Sequence, residues 1–332
     1  MNVLVAGAAG SIGSFLCETL LARGDHVVGV DNLATGRLAN ISHLQSWPYW
    51  YFIQDDITDL CHEARRPYYR YDMVIDLASP ASPDDFATMP IEILDTGSRG
   101  THTLVAIAAH DRARFVLGST SEVYGDPLIH PQPETYWGNV DPIGPRSCYD
   151  EAKRFSEALT MAYQRVHDID PVIVRIFNTY GPRMRPDDGR VVTNFLYQAL
   201  AGKPLTIYGD GSQTRSFCYV TDLVAGLIAA SHSDLVGPVN IGNPAEQTIL
   251  SLAEEVLTVT GSDSPIVHVD LPPERTGDPR QRCPDISLIH DTTGWQPTVS
   301  LETGLRMMLS SVREHDRTPV SSPPHNGGLL SL

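Results

Sequence analysis

Residues 2–31 constrain the fold more than any other stretch. An apolar run, NVLVAG, leads at once into the turn GAAGSIG. The helical pattern SIGSFLCETLLARG follows, ended by a glycine, and then a second apolar run, HVVGVD. Short continuous apolar runs bounded by turn signals read as buried strands, and a helix between two of them is the crossover of a parallel pair. Gly7, Gly10 and Gly13 permit the tight turn, let the backbone approach a pyrophosphate, and let the helix pack closely on the sheet. The helix start adds free N–H donors and partial positive charge. Asp31, closing the second run, can accept from both hydroxyls of an adenosine ribose and repels a 2′-phosphate, which points to NAD over NADP. Asp56, in QDDI, is either an acceptor for the adenine amino group or a turn residue. Ile12, Asn32, Ile57 and Leu77 complete the predicted cofactor side.

The alternation continues. Strands are predicted at 72–78, 114–120, 171–178 and 237–243, and helices at 91–110 and 149–167. Strand–helix alternation builds a parallel sheet covered on both faces, so the expected class is α/β: a Rossmann-type doubly wound sheet with a smaller C-terminal substrate-binding lobe. From about Tyr180 the pattern changes to Pro-, Gly- and Asp-rich loops such as GPRMRPDDGR and DLPPERTGDPRQRCPD. The predicted division is a nucleotide-binding part over 1–178 with a return at 219–261, and a lobe over 179–218 and 262–314. The polar end, 315–332, is rich in Pro and Gly and is predicted to be disordered.

Composition excludes some functions. The 332 residues carry a formal net charge of −16, the wrong sign for a nucleic-acid partner. No stretch approaches the roughly 18 apolar residues of a membrane span, and Met1 and Asn2 run straight into a strand pattern rather than a leader. The predicted location is the cytoplasm. Cys17, Cys61, Cys148, Cys218 and Cys283 are widely spaced, with no CxxC, and read as reduced buried thiols rather than disulfides or metal ligands. No metal site is expected.

In SCYDEAK, Tyr149 and Lys153 stand four residues apart on one helix face. Alone, the pair is unremarkable. Here the helix follows a strand ending in Ser119, Thr120, Ser121 and Glu122, and ligands in such folds bind at the carboxyl ends of the strands. A tyrosine titrates near 10, so a nearby ammonium and a positive nicotinamide are needed to make it a usable base. Tyr149 is then predicted to take a proton from a sugar hydroxyl, with Thr120 bonded to the same oxygen and Lys153 also holding the nicotinamide ribose.

Four longer segments are more specific: LASPASP (77–83), STSEVYGDPLIHPQPETYWGNVDPIGPRSCYDEAKR (119–154), RIFNTYGPRMRPDDGRVV (175–192) and YGDGSQTRSFCYV (208–220). On these the chain resembles, over about residues 1–310, the extended short-chain dehydrogenase/reductases that modify nucleotide sugars, and among them the UDP-glucuronate decarboxylases, or UDP-xylose synthases. The resemblance implies NAD as cofactor and a UDP-sugar as substrate. It implies oxidation at C4, loss of CO2 from the 4-keto sugar, and return of the hydride. It makes Thr120, Tyr149 and Lys153 the redox trio, with Ser121 and Glu122 beside C5 and C6. Arg146 contacts the glucuronate carboxylate, Asn178 lies near the first phosphate, and Arg215 and Arg282 clamp the diphosphate, with Arg190 on the same substrate side. It further implies a homodimer through a bundle that includes the Tyr149 helix, where Phe155, Leu159 and Ala162 serve either the interface or the core. The chain departs from the family at 84–99, where LDTGSRGT stands for the common KTNTIGT. A 4,6-dehydratase usually carries an Asp-Glu pair after the threonine, and Ser121 occupies the Asp position. That reading, a 4-epimerase and a non-catalytic NAD-binding regulator are the alternatives.

Overall fold

The computed structural model describes residues 1–60, 70–272 and 277–317. Seven parallel strands make the main sheet: β1 (Asn2–Ala6), β2 (His26–Asp31), β3 (Trp50–Gln54), β4 (Met73–Asp76), β5 (Arg114–Thr120), β6 (Pro171–Ile176) and, later in the chain, β11 (Gly237–Ile241). Their order is β11-β6-β5-β4-β1-β2-β3. The order reverses between β1 and β4, and the crevice outside such a switch point is where open α/β sheets bind ligands.

The central strands are mostly apolar because both faces are covered. In β1, Val3 and Val5 enter one core while Leu4 and Ala6 enter the other. The first core is shared with α1 (Ser11–Ala22), α7 (Val220–Ser231) and α10 (Leu301–Arg317). The second contains Leu104, Val105 and Ala108 of α4 (Thr101–Asp111), and Leu159 of α5 (Ser147–His167) packs against it.

Three small strand pairs lie beyond the sheet. They are β7 (Thr179–Tyr180) with β10 (Cys218–Tyr219), β8 (Leu205–Tyr208) with β13 (Ile266–Val269), and β9 (Thr214–Ser216) antiparallel to β12 (Glu246–Thr248). Leu205 and Ile207 of β8 pack with α6 (Val191–Leu200) and α8 (Ile249–Thr260) into the first core.

Three elements differ from the sequence reading. β3 was not anticipated. Its sequence, WYFIQ, carries four consecutive aromatic and aliphatic strand formers, and as an edge strand it leaves Tyr51 48% exposed. The helix expected over 91–110 is divided into α3 (Pro90–Asp95), a π turn over 96–100 and α4. Two glycines mark that turn because neighbours crowd it: a Cβ at Gly97 would lie 2.7 Å from the Ala152 Cβ, and one at Gly100 would lie 2.5 Å from the Ile57 Cδ1. Finally, α10 runs on to Arg317, into the tail predicted from 315, while residues 318–332 lie outside the described residues.

Among the described residues no helix is long and apolar enough to cross a membrane. Cys17, Cys148, Cys218 and Cys283 are free and buried, and Cys61 lies outside the described residues.

Candidate active site

A cleft of about 440 Å³ opens at the carboxyl ends of the central strands. Gly7, Gly10, Ile12, Gly13 and Leu77 line it from the switch point. Thr120, Ser121 and Glu122 line it from the end of β5, and Tyr149 and Lys153 from α5. Arg146, Asn178, Arg190, Arg215 and Arg282 complete the wall. Asp31, Asn32, Asp56 and Ile57 are not part of this lining; Asp31 ends β2, Asn32 follows it, and Asp56 and Ile57 come just after β3. Asp31 accepts the Ala9 N–H at 2.9 Å and the Leu33 N–H at 2.8 Å. Burial raises its carboxyl and those two bonds oppose the rise. Asp56 accepts from the Asn32 amide at 2.7 Å and from the Thr58 N–H and hydroxyl at 2.8 Å each. Ile57 is buried in the second core.

The glycine turn fits a pyrophosphate. Gly7 has φ +76°, and a Cβ on it would sit 2.8 Å from the Leu77 backbone. A Cβ on Gly13 would sit 2.0 Å from the Gly7 carbonyl oxygen. Helix α1 starts at Gly10 with no side-chain cap and no acidic residue in its first turn, so its N–H groups and dipole meet no competing anion. Gly13→Ala should therefore lose about 1–3 kcal/mol of stability or more, and with it NAD affinity, in thermal melts and NAD titrations. Unchanged NAD binding in a fully stable variant would remove the turn from the cofactor site.

Beneath Tyr149 lies a buried charge couple. The Lys153 ammonium is 4% exposed and donates to the Gly118 carbonyl at 2.9 Å. Asp76, 1% exposed, accepts from the Thr101 hydroxyl at 3.0 Å. Burial lowers Lys153, opposed by the charges of Asp76 and Glu157. Burial likewise raises Asp76, opposed chiefly by Lys153. Ser156 ties the π turn to this floor: its hydroxyl donates to the Gly97 carbonyl at 2.6 Å and lies 3.2 Å from the Thr101 hydroxyl.

Tyr149 stacks on Phe86 of α2 (Pro83–Thr88), with ring centroids 4.9 Å apart. Burial pushes its phenol up to about 12, opposed by a hydrogen bond with Thr120 and then by the charge of Arg190. The sequence reading assigned that opposing charge to Lys153. In the fold, Arg190 is the larger influence, because the Lys153 ammonium faces Gly118 and Asp76 instead.

Carboxylates and arginines knot together beside the phenol. Glu122 accepts from Arg146 at 2.6 Å and from Arg282, and Arg146 also pairs with Asp278 at 2.5 Å. Arg146 lies over the Phe86 ring, 5.4 Å from its centroid. Arg282 also donates to the Gly125 carbonyl at 3.0 Å, and its buried Nε has no partner. Arg215 donates to the Thr214 and Pro279 carbonyls at 2.7 and 2.6 Å. Burial, then the charge of Arg282, lowers it to about 10. For Glu122, burial works upward, but Arg146 and Arg282 outweigh it and hold the carboxyl at about 2. Behind it, Asp150 is pushed up to about 7 by burial and then by the charge of Glu122. Arg190 pairs with Asp188 at 3.3 Å and donates to the Ala81 carbonyl at 3.1 Å.

The depressed Glu122 carboxyl has a pH consequence. A carboxyl held below its ordinary 4.5 contributes stability that is complete above that value and is lost as pH falls through about 2. Glu122→Gln should thus be destabilised against wild type at neutral pH, by at most about 3 kcal/mol. The gap should close between pH 4.5 and 2 in denaturant titrations. A gap independent of pH would contradict the pairing.

Phe86, Asp76, Asp150 and Asp278 were not singled out in the sequence. For Phe86 the signal was its place, in the segment after β4 at a strand's carboxyl end. Asp278 had no local signal, since it meets Arg146 across 132 residues.

The fold and cleft have known counterparts. A family model described as GDP-mannose 4,6 dehydratase matches residues 4–308. UDP-glucuronic acid decarboxylase 1 of Arabidopsis thaliana is 48% identical over 313 residues, covering 94% of this chain and 70% of the relative. UDP-glucuronic acid decarboxylase 1 of Danio rerio is 45% identical over 304 residues, covering 92% and 71%. Among solved structures, UDP-glucuronic acid 4-epimerase from Bacillus cereus, in complex with UDP-glucuronic acid and NAD, superposes with a TM-score of 0.85 at 31% identity, covering 95% of this chain and all of that one.

Proposed function

We propose, for a chain that belongs to the GDP-mannose 4,6 dehydratase family of extended short-chain dehydrogenase/reductases, the NAD-dependent decarboxylation of UDP-glucuronate to UDP-xylose. The observation that carries this is the 48% identity to a UDP-glucuronic acid decarboxylase across 94% of the chain. The geometry supplies a mechanism.

NAD, when bound, would supply the hydride acceptor for oxidation at C4 and the donor for its return. Tyr149 takes the proton of the C4 hydroxyl, and Thr120 hydrogen-bonds the same oxygen. Lys153, braced by Gly118 and Asp76, orients the ribose on the cofactor side. The C4 ketone so formed is β to the C6 carboxylate, so CO2 leaves with the electrons flowing into the C4 oxygen as an enolate. The Tyr149 and Thr120 hydroxyls stabilise that oxygen as charge develops. A proton from solvent then adds at C5 as the enolate returns to the C4 ketone, and hydride return to C4, with Tyr149 giving its proton back to the C4 oxygen, would complete UDP-xylose. Arg146 faces the carboxylate, with Ser121 and Glu122 beside C5 and C6. Arg215 and Arg282 hold the diphosphate through the cycle, with Asn178 and Arg190 on the same side. On this reading 1–178 with 219–261 binds NAD, and 179–218 with 262–314 forms the nucleotide-sugar lobe. Asp31 and Asp56 face the adenosine half. We take the protein to act in the cytoplasm, as its free buried thiols suit. We take it to act as a homodimer, consistent with Phe155 of α5 being 49% exposed.

A second reading follows from the Bacillus cereus neighbour: epimerisation at C4 with the carboxylate retained. Incubation with UDP-glucuronate and mass measurement of the product separates the two. The decarboxylase gives a product lighter by CO2, and the epimerase gives one of unchanged mass.

A further inference from the structure

Away from the cleft, three metal-ligating side chains from three segments converge. The ligand atoms of His130, Glu246 and Cys283 all lie within 4.8 Å of one another. The His130 Nε2 is 3.0 Å from the Glu246 Oε2, and these two side chains are 29% and 24% exposed. Cys283 is 4% exposed and closes the base of the group, its thiol directed to the Pro244 carbonyl at 3.4 Å. None of the three lines the cleft.

We propose that His130, Glu246 and Cys283 form a second site, which takes a thiophilic divalent cation of the zinc class and ties together the segments bearing Arg215 and Arg282. An imidazole, a carboxylate and a thiolate are three ligands that zinc accepts, and a fourth position remains toward solvent. Binding forms the metal–sulfur bond as the thiol proton passes to solvent, and it replaces the His130–Glu246 hydrogen bond.

The frame around the trio is hydrogen-bonded on two sides. The fully buried Gln132 laces the His130 segment to the Cys283 segment: its amide oxygen accepts the Cys283 N–H at 2.9 Å, and its backbone N–H donates to the Cys283 carbonyl at 2.9 Å. The Thr214 hydroxyl donates to the second oxygen of Glu246, the kind of outer-shell contact that orients a ligating carboxylate. Both connections lead to the cleft. Thr214 precedes Arg215, and Glu246 and Gln247 of β12 pair with Ser216 and Arg215 of β9. Cys283 directly follows Arg282. A cation here straps β12 and β9 to the Arg282 segment. That coupling rests on the reading of Arg215 and Arg282 as the diphosphate clamp; the cation binding does not.

The test uses the full chain, freed of metal, titrated with Co2+ as an optical surrogate and then with zinc in competition. One equivalent of Co2+ should give thiolate-to-cobalt charge-transfer absorption and tetrahedral visible bands. Both should vanish in Cys283→Ala and in His130→Ala; the latter changes an exposed residue outside the cleft and keeps the comparison valid if the former folds poorly. Thr214→Val should weaken the cation by about 10- to 100-fold. No cobalt signal in wild type, or one that survives in both variants, overturns the site. UDP affinity should rise at least about fivefold with zinc bound, and zinc affinity with UDP bound by the same factor. Equal UDP affinity with and without bound zinc overturns the coupling while leaving the decarboxylase reading untouched.

Discussion

Tyr149→Phe should fold, bind NAD and UDP-glucuronate as wild type does, and turn over at least about a hundredfold more slowly. The ring supplies the packing: it is 7% exposed and stacked on Phe86 at 4.9 Å, and phenylalanine keeps both features. Only the hydroxyl goes, together with its hydrogen bond to Thr120. With it goes the group proposed to take the C4 proton on oxidation and to steady the C4 oxygen during loss of CO2. Rapid-mixing measurement of NADH formation in the first turnover isolates the step. The protein's own burial pushes the phenol up to about 12, so the base form gains population as pH rises. The wild-type rate of oxidation should therefore climb with pH until the phenol ionises in the ternary complex, and the variant should lose that limb. Near wild-type oxidation in Tyr149→Phe would remove Tyr149 from the role.

Arg146→Ala should lose UDP-glucuronate far more than UDP-xylose. Only the first ligand presents a carboxylate, and a charge-assisted hydrogen bond is worth about 1.5–3 kcal/mol, or roughly tenfold to hundredfold in affinity. The structure adds a cost shared by both ligands, because Glu122 and Asp278 each lose a partner at 2.6 and 2.5 Å. The informative quantity is thus the ratio of the two affinities by calorimetry, in which the shared cost cancels. Arg146→Lys is the companion variant: it keeps the charge without the planar fork and should fall between the two. An equal loss for both ligands would mean that Arg146 serves only to hold Glu122.

The parts legible in the sequence were those whose cause is local. A strand, a glycine turn and a helix start within residues 2–22 require one another, because Gly7 and Gly13 approach too closely for side chains. Tyr149 and Lys153 share a face by helical spacing alone. The rest depends on neighbours far along the chain. Lys153 of α5 is balanced chiefly by Asp76 of β4, and the charge that most opposes the burial of the Tyr149 phenol is Arg190, far along the chain. Arg146 read as a substrate ligand, and the fold shows it already bonded to Glu122 and Asp278, which no spacing rule could anticipate. Strand β3 was legible in principle, since WYFI is a continuous run of strand formers; what the sequence does not show is its edge position, which leaves Tyr51 half-exposed. The π turn escaped because the neighbours its glycines pack against, Ala152 at Gly97 and Ile57 at Gly100, are brought there by tertiary structure.

The most direct test of the account follows the hydride. After CO2 leaves, the sugar either regains its hydride or departs as a ketone. In the roles proposed for them, Tyr149, Thr120 and Lys153 serve both directions of transfer, and the diphosphate contacts proposed for Arg215 and Arg282 do not change when the carboxylate is lost, so the intermediate should stay in place for reduction. UDP-glucuronate carrying deuterium at C4, incubated with a catalytic amount of NAD, should give UDP-xylose with the deuterium at C4 and no net NADH. Stoichiometric NADH with a free 4-ketopentose, or a C4 epimer that retains its carboxylate, would contradict it.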